Sequence, residues 1–313
     1  MEPQSKRANT RAVHSIERFV FSVPDLAEAQ RFYAAFGLDV RRDGDTLRLH
    51  TFGHAHAWGS VVQAAGPKRL QYISFGLFAE DEAAFKRVIA ERGLAVEPHR
   101  LSDGNGNGLW LRGPDGLAIQ LLVADKVSPS VRATATQAMT RAGTGAAPAR
   151  SQAGLVRPRR LSHLLMFTAD VLGSVAFYSE VLGLKLSDHS GDGIAFMHGA
   201  HGSDHHLVAL AKSSGGGLHH TSWDVGSIHE VGLGAEIMKS KGYTQGWGVG
   251  RHVVGSNYFY YVRDPWGSFA EYSFDIDYVA ADMDWLAADH PPEDSFYVWG
   301  PEPPSDFVVN HET

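Results

Sequence analysis

Two histidines and one glutamate in the second half of the chain, His163, His220 and Glu271, occupy corresponding places in an internal repeat. In the first half the same places hold Arg18, Tyr72 and Gln120. Two imidazoles and a carboxylate can take one face of an octahedral ion and leave the opposite face open, which suits non-haem Fe(II) that activates oxygen. Mn(II) accepts the same ligand set. The first half keeps the frame of the repeat and lacks the ligands. One metal centre is therefore expected, in the second half only.

The correspondence rests on spacing. His163 lies seven residues before Asp170, as Arg18 lies seven before Asp25. The run Leu-His-His-Thr-Ser-Trp at 218–223 superposes on Leu-Gln-Tyr-Ile-Ser-Phe at 70–75, which sets His220 on Tyr72. Glu271 and Gln120 each fall six residues after a proline, Pro265 and Pro114. Strand alternation predicts that only one of the adjacent His219 and His220 reaches a common cavity, and the repeat selects His220.

Four further side chains surround the trio in sequence. His205 and His206 open an apolar strand, Gly-Ser-Asp-His-His-Leu-Val-Ala-Leu at 202–210. His252 sits in a glycine-bounded loop ahead of Tyr261, on the strand that leads to Glu271. Accepting and returning a proton suits imidazole near neutral pH, and His206 is the stronger candidate of its pair. Elsewhere, the glycine run at 213–218 is followed by no Lys-Ser/Thr and is no phosphate loop. No nucleophile-elbow sequence supports serine hydrolysis.

These residues need a frame, and the repeat supplies it. Segments 18–40 and 163–186 both read as a strand, a helix carrying Phe-Tyr, then Gly-Leu and another strand. Asp170 is placed to cap its helix and Gly183 to stop it. Segments 69–94 and 217–243 repeat strand and helix, and each is followed by strands around a proline turn, at 109–123 and 260–274. The unit is a βαβββ module, four times over. One module has too small a core to stand alone, so modules are expected in pairs, forming two tandem barrel-like α+β domains with a cavity in each. Cavity residues come from alternate positions on the strands. The aromatic side chains expected in the walls are Phe167, Phe196, Trp223, Trp247 and Tyr258.

The domains expected are 1–125 without metal and 159–280 with it. The stretch 126–158, rich in Ala, Thr, Ser, Gly and Arg, reads as an exposed linker with a short helix around Val131–Met139. The Pro- and acid-rich extension 281–313 is expected to wrap the second domain, with Phe296 and Trp299 docked on its surface. A formal net charge of −7 offers no positive field to hold nucleic acid. With no cysteine, thiolate ligands and disulfides are excluded. No segment approaches membrane-spanning length and the first residues lack an apolar leader, so the cytoplasm is the expected compartment.

With His163, His220 and Glu271 in those runs, the chain resembles the type I extradiol ring-cleaving dioxygenases of the vicinal oxygen chelate superfamily, over about residues 14 to 280. The resemblance implies that fold, with His163, His220 and Glu271 as ligands of Fe(II) or Mn(II). It implies acid-base chemistry at His206 and substrate orientation by His252 and Tyr261. The implied substrates are a small catechol-type diol, of the kind met in aromatic hydrocarbon catabolism, and O2. A homo-oligomer is also implied. Two rivals share the scaffold: a glyoxalase-like isomerase or lyase, which commonly needs a second carboxylate ligand, and a metal-free protein that binds aromatic compounds.

Overall fold

The four repeats fold into two curled sheets, each carrying its helices on one face. The computed structural model describes residues 5–102, 107–136 and 140–312. The first sheet contains β1 (Ser15–Val23), β2 (Asp39–Asp43), β3 (Thr46–His50), β4 (Ala57–Gln63), β5 (Arg69–Leu77), β6 (Leu109–Arg112) and β7 (Ala118–Val123). Their spatial order is β2-β3-β4-β1-β5-β7-β6, with helices α1 (Leu26–Phe36) and α2 (Glu82–Glu91).

The second half repeats the plan. It holds β8 (Arg160–Thr168), α3 (Val171–Glu180), β9 (Lys185–Ser190), β10 (Ile194–His198), β11 (Ser203–Asp204) and β12 (Val208–Lys212). Then follow β13 (Gly217–Asp224), α4 (Ile228–Ser240), β14 (Gly246–His252), β15 (Tyr258–Arg263) and β16 (Phe269–Phe274). Short strands β17 (Tyr278–Val279), β18 (Ala288–Asp289) and β19 (Tyr297–Trp299) complete the chain. The sheet runs β18-β9-β10-β12-β8-β13-β16-β15-β14-β19, and β11 pairs with β17 apart from it. Both edges are thus closed by the C-terminal extension, which removes exposed ladder groups.

Local chemistry explains the helices. Asp25 accepts from the N–H groups of Ala27 and Glu28 to start α1, and Gly37, at φ 103°, ends it. Asp170 accepts from the Gly173 N–H at the start of α3, and Ser227 from that of Glu230 at the start of α4. The second module departs from the plan. After α2 the described residues give only β6 and β7, with one isolated bridge from Ala95 to Leu111. Pro98, which has no N–H, stands where a further strand would continue. The linker likewise lacks the expected helix. Residues 131–136 are irregular, since no apolar face there repays helix formation, and 137–139 lie outside the described residues.

The two halves share an aromatic seam. Phe36 at the end of α1 stacks on Tyr272 of β16 at a centroid distance of 3.9 Å, and the tyrosine O–H donates to the Phe36 carbonyl at 2.8 Å. Gly234 on α4 makes room for that ring, because a Cβ there would lie 2.6 Å from Tyr272. Stacking of this kind adds about 0.5–1.5 kcal/mol beyond the area buried. Phe19 meets Trp223 edge-on across the same seam, and the buried Lys68 ammonium pairs with Asp264. No helix among the described residues is long and apolar enough to cross a membrane.

Strand register aligns the important positions. His163 of β8 stands opposite Ser222 of β13, Ser222 opposite Glu271 of β16, and Glu271 opposite Tyr261 of β15. Directly paired residues point to one face of a sheet, so the row shares a face, joined by His220 two residues before Ser222. The first sheet repeats the row with Arg18, Ser74, Gln120 and Trp110, and Tyr72 stands two residues before Ser74.

Candidate metal centre

His163, His220 and Glu271 are all buried, and each offers one ligand atom within 4.8 Å of the others. The two imidazole Nε2 atoms lie 3.2 Å apart, and Glu271 Oε2 lies 3.3 Å from the first and 3.5 Å from the second.

The hydrogen bonds behind the trio settle which atoms carry protons. Ser162 Oγ donates to Asp204 Oδ2 at 2.8 Å, so it can only accept from His163 Nδ1, 3.2 Å away. His219 donates from Nε2 to the Phe307 carbonyl at 2.8 Å, leaving its Nδ1 as an acceptor. His220 Nδ1, at 2.7 Å, supplies the proton. Both candidate ligands are therefore protonated on Nδ1 and carry a lone pair on Nε2. Glu271 Oε1 accepts from Asn257 Nδ2 at 3.0 Å, whereas Oε2 is buried without a hydrogen-bond partner. Three lone pairs converge with no proton among them. A cation satisfies that arrangement, and two neutral nitrogens with one carboxylate oxygen suit Fe(II) or Mn(II).

Electrostatics agree. Burial, reinforced by neighbouring imidazoles, pushes His220 well below the ordinary histidine value, and burial moves His219 down to about 4. His220 is therefore neutral at neutral pH, as its hydrogen bonds require. At the matching point of the first sheet, Arg18 brings a permanent positive charge and Tyr72 a phenol whose ionisation burial opposes.

His206, His252 and Tyr261 meet the trio in the same cavity, of about 410 Å³. The His206 ring lies 4.0 Å from that of His163 and is driven to the neutral form, first by burial. His252 Nδ1 donates to the Phe296 carbonyl at 2.9 Å, so its Nε2 accepts from the Tyr261 hydroxyl, also at 2.9 Å. Burial and the nearby Glu271 charge raise the phenol well above its usual value and keep it a donor. Tyr260, its neighbour, instead packs on the other face against the core beneath α4.

Three expectations need correction. His219 and His220 do not face opposite sides: the register shifts between Leu218 and His220, and both imidazoles line the cavity. A bulge re-aims a side chain in this way. Of the five expected wall aromatics, only Phe196 lines the cavity. Trp223 turns to the domain seam, Phe167 lies beside a different cleft, and Tyr258 stacks with Arg251. Trp247 packs behind Tyr261, with their rings 5.6 Å apart. The missing rings come from the C-terminal extension: Phe296 and Phe307 line the cavity with Val308, so Phe296 is part of the wall, while Trp299 stays on the edge strand. His219 is set aside by the repeat, and Asn257 and Phe307 are not singled out by the sequence. The adjacent histidines were a usable signal for the first; nothing local marks the others.

Residues 160–272, which carry the trio, match the model of the Glyoxalase/Bleomycin resistance protein/Dioxygenase superfamily. Metapyrocatechase 2 of Cupriavidus necator is 49% identical over 302 residues, covering 96% of this chain and 93% of that protein. The chain belongs to the extradiol ring-cleaving dioxygenases. Solved structures agree with this dioxygenase in fold. An extradiol ring-cleaving dioxygenase from B. fuscum aligns with a TM-score of 0.75 at 20% identity, over 98% of this chain and 84% of that one. A Mn(II)-bound glyoxalase from Novosphingobium aromaticivorans aligns with a TM-score of 0.73 at 24% identity, over 94% and 93%.

Proposed function

We propose that His163, His220 and Glu271 hold one Fe(II), at which a catechol-type diol is opened beside its two hydroxyls by O2. The observation that carries this reading is the meeting of three lone pairs, free of protons, at the floor of an apolar cavity. When bound, the ion would act as a Lewis acid towards the diol and provide a path for electrons between diol and dioxygen. Both oxygen atoms enter the product, one ring bond breaks, and no external reductant is consumed.

The chain's own groups do the rest. The nitrogen of His206 left to the cavity accepts a proton from the diol and returns one as the ring opens. Tyr261 and His252 form a donor-acceptor pair that orients the diol oxygens. Ile194, Phe196, Phe296, Phe307 and Val308 pack on the ring and exclude water. Glu271 is the only carboxylate among the described residues that line the cavity, which disfavours a glyoxalase-like site with two. Assembly as a homo-oligomer in the cytoplasm belongs to the same reading.

Anaerobic Fe(II) loading, followed by O2 and a panel of diols, tests the proposal. The expected result is about one iron per chain, one O2 consumed per diol and a yellow ring-opened product. An iron-loaded protein that consumes no O2 with any diol refutes it.

A further inference from the structure

Asp188, on β9, lies behind the cavity wall, yet its carboxylate ends a buried chain of rings that begins at His206. Its Oδ2 accepts from His205 Nε2 at 2.8 Å, and His205 Nδ1 stands 3.1 Å from His206 Nδ1. An ionised carboxylate only accepts, so the single proton of a neutral His205 sits on Nε2 and the ring presents a lone pair on Nδ1. His206 must then donate from Nδ1. Its own lone pair falls on Nε2, the nitrogen left to the cavity. Without Asp188, His205 can carry its proton on either nitrogen, and His206 can adopt the opposite tautomer. That tautomer has no lone pair on the cavity side.

The carboxylate is held from the C-terminal extension. Asp188 Oδ1 accepts from the Ala288 N–H at 2.9 Å and from His290 Nε2 at 3.0 Å, while Trp285 Nε1 donates to Oδ2 at 3.3 Å. Burial raises this carboxyl, but the donors outweigh burial and keep it below the usual range. Packing stops the rings from turning. Trp285 lies edge-on to His205 at 4.9 Å and Phe196 edge-on to His206 at 5.0 Å. From the loop before β15, Gly255 (φ 84°) closes against both rings, and a Cβ there would come within 3.3 Å of His206.

We propose that Asp188 is a positioning residue which, through His205, sets the tautomer of His206 and keeps a proton-accepting nitrogen towards the diol. The inference rests on His206 as the acid-base group. It also assigns a task to the extension: Trp285, Ala288 and His290 fix the far end of a chain whose near end faces substrate.

The test is a double-mutant cycle on the iron-loaded enzyme, with Asp188→Asn, His206→Phe and both together. Metal content and anaerobic diol affinity are measured beside turnover. Asp188→Asn is expected to keep its iron, its diol affinity and its KM, and to lose kcat by about 10- to 100-fold. In the His206→Phe background the same change is expected to have no further effect. Wild-type kcat in Asp188→Asn overturns the proposal, as does an equal loss in both backgrounds or iron lost in step with kcat. Wild-type turnover in His206→Phe instead sinks the acid-base reading, and is seen without reference to Asp188. His205→Phe removes both ring nitrogens and so breaks the link, while leaving the Asp188 bonds to the extension in place. It is expected to reproduce the kcat loss, and full activity there overturns the proposal even if Asp188→Asn misfolds.

Discussion

Glu271→Gln should raise the stability of the metal-free protein while abolishing its stabilisation by metal. Oε1 faces a donor, Asn257 Nδ2, so the new amide must place its oxygen there and its NH2 group where Oε2 stood. That NH2 group then faces the Nε2 lone pairs of His163 and His220, at the 3.3 and 3.5 Å now spanned by the carboxylate oxygen. A buried acceptor without a partner costs about 1–3 kcal/mol, and satisfying the position recovers much of it. The metal-free variant should therefore be more stable than metal-free wild type by about 1–3 kcal/mol. With metal the order inverts. Wild type gains about 4 kcal/mol when the ion is a thousandfold above its Kd, and the variant, with an N–H in the ion's place, gains almost nothing. Denaturant unfolding under anaerobic conditions, with chelator and with Fe(II), reads both differences. A less stable metal-free variant refutes the lone-pair argument. An undiminished metal-induced shift refutes Glu271 as a ligand.

Other outcomes follow from the same geometry. His206→Phe should retain iron and lose about 100- to 10,000-fold in kcat, and full activity would remove its proton-transfer role. His219→Phe deletes the acceptor for His220 Nδ1 and should weaken metal binding about 10- to 100-fold in a competition titration; unchanged affinity would dismiss it as an anchor. Phe296→Ala should cost about 1–2 kcal/mol in kcat/KM for an apolar-substituted diol with iron content unchanged, whereas equal kinetics would place the extension outside the binding wall. His14, buried far from the metal centre, is pushed by burial from 6.5 to about 4. The unfolded chain takes up that proton first. The group's stabilisation is therefore complete above pH 6.5 and lost as pH falls towards 4, at most about 3 kcal/mol. His14→Asn should flatten the fall in denaturation midpoint over that window, and an unchanged profile would refute this assignment.

The repeat was legible because side-chain periodicity and caps act over short distances. Asp25 and Asp170 start equivalent helices in the structure as they do in the sequence, and the row of His163, Glu271 and Tyr261 follows from strand register. The second module was less legible: among the described residues one strand is missing, at Pro98, which has no N–H to give a ladder, against an otherwise good pattern. Alternation misjudged His219, because a bulge cannot be seen in the order of residues alone.

The sequence by itself determined the module, its fourfold repetition and the half that carries imidazole and carboxylate, since each depends on residue type and local spacing. Only the tertiary structure decided which lone pairs face one another, because a proton's place on an imidazole depends on its far-side partner. Those partners are remote in sequence: Asp204 behind His163, the Phe307 carbonyl behind His219, the Phe296 carbonyl behind His252. Two of the three come from the C-terminal extension, whose composition suggested only a wrapping. It took the folded chain to bring that extension over the cavity and turn the imidazole nitrogens inward.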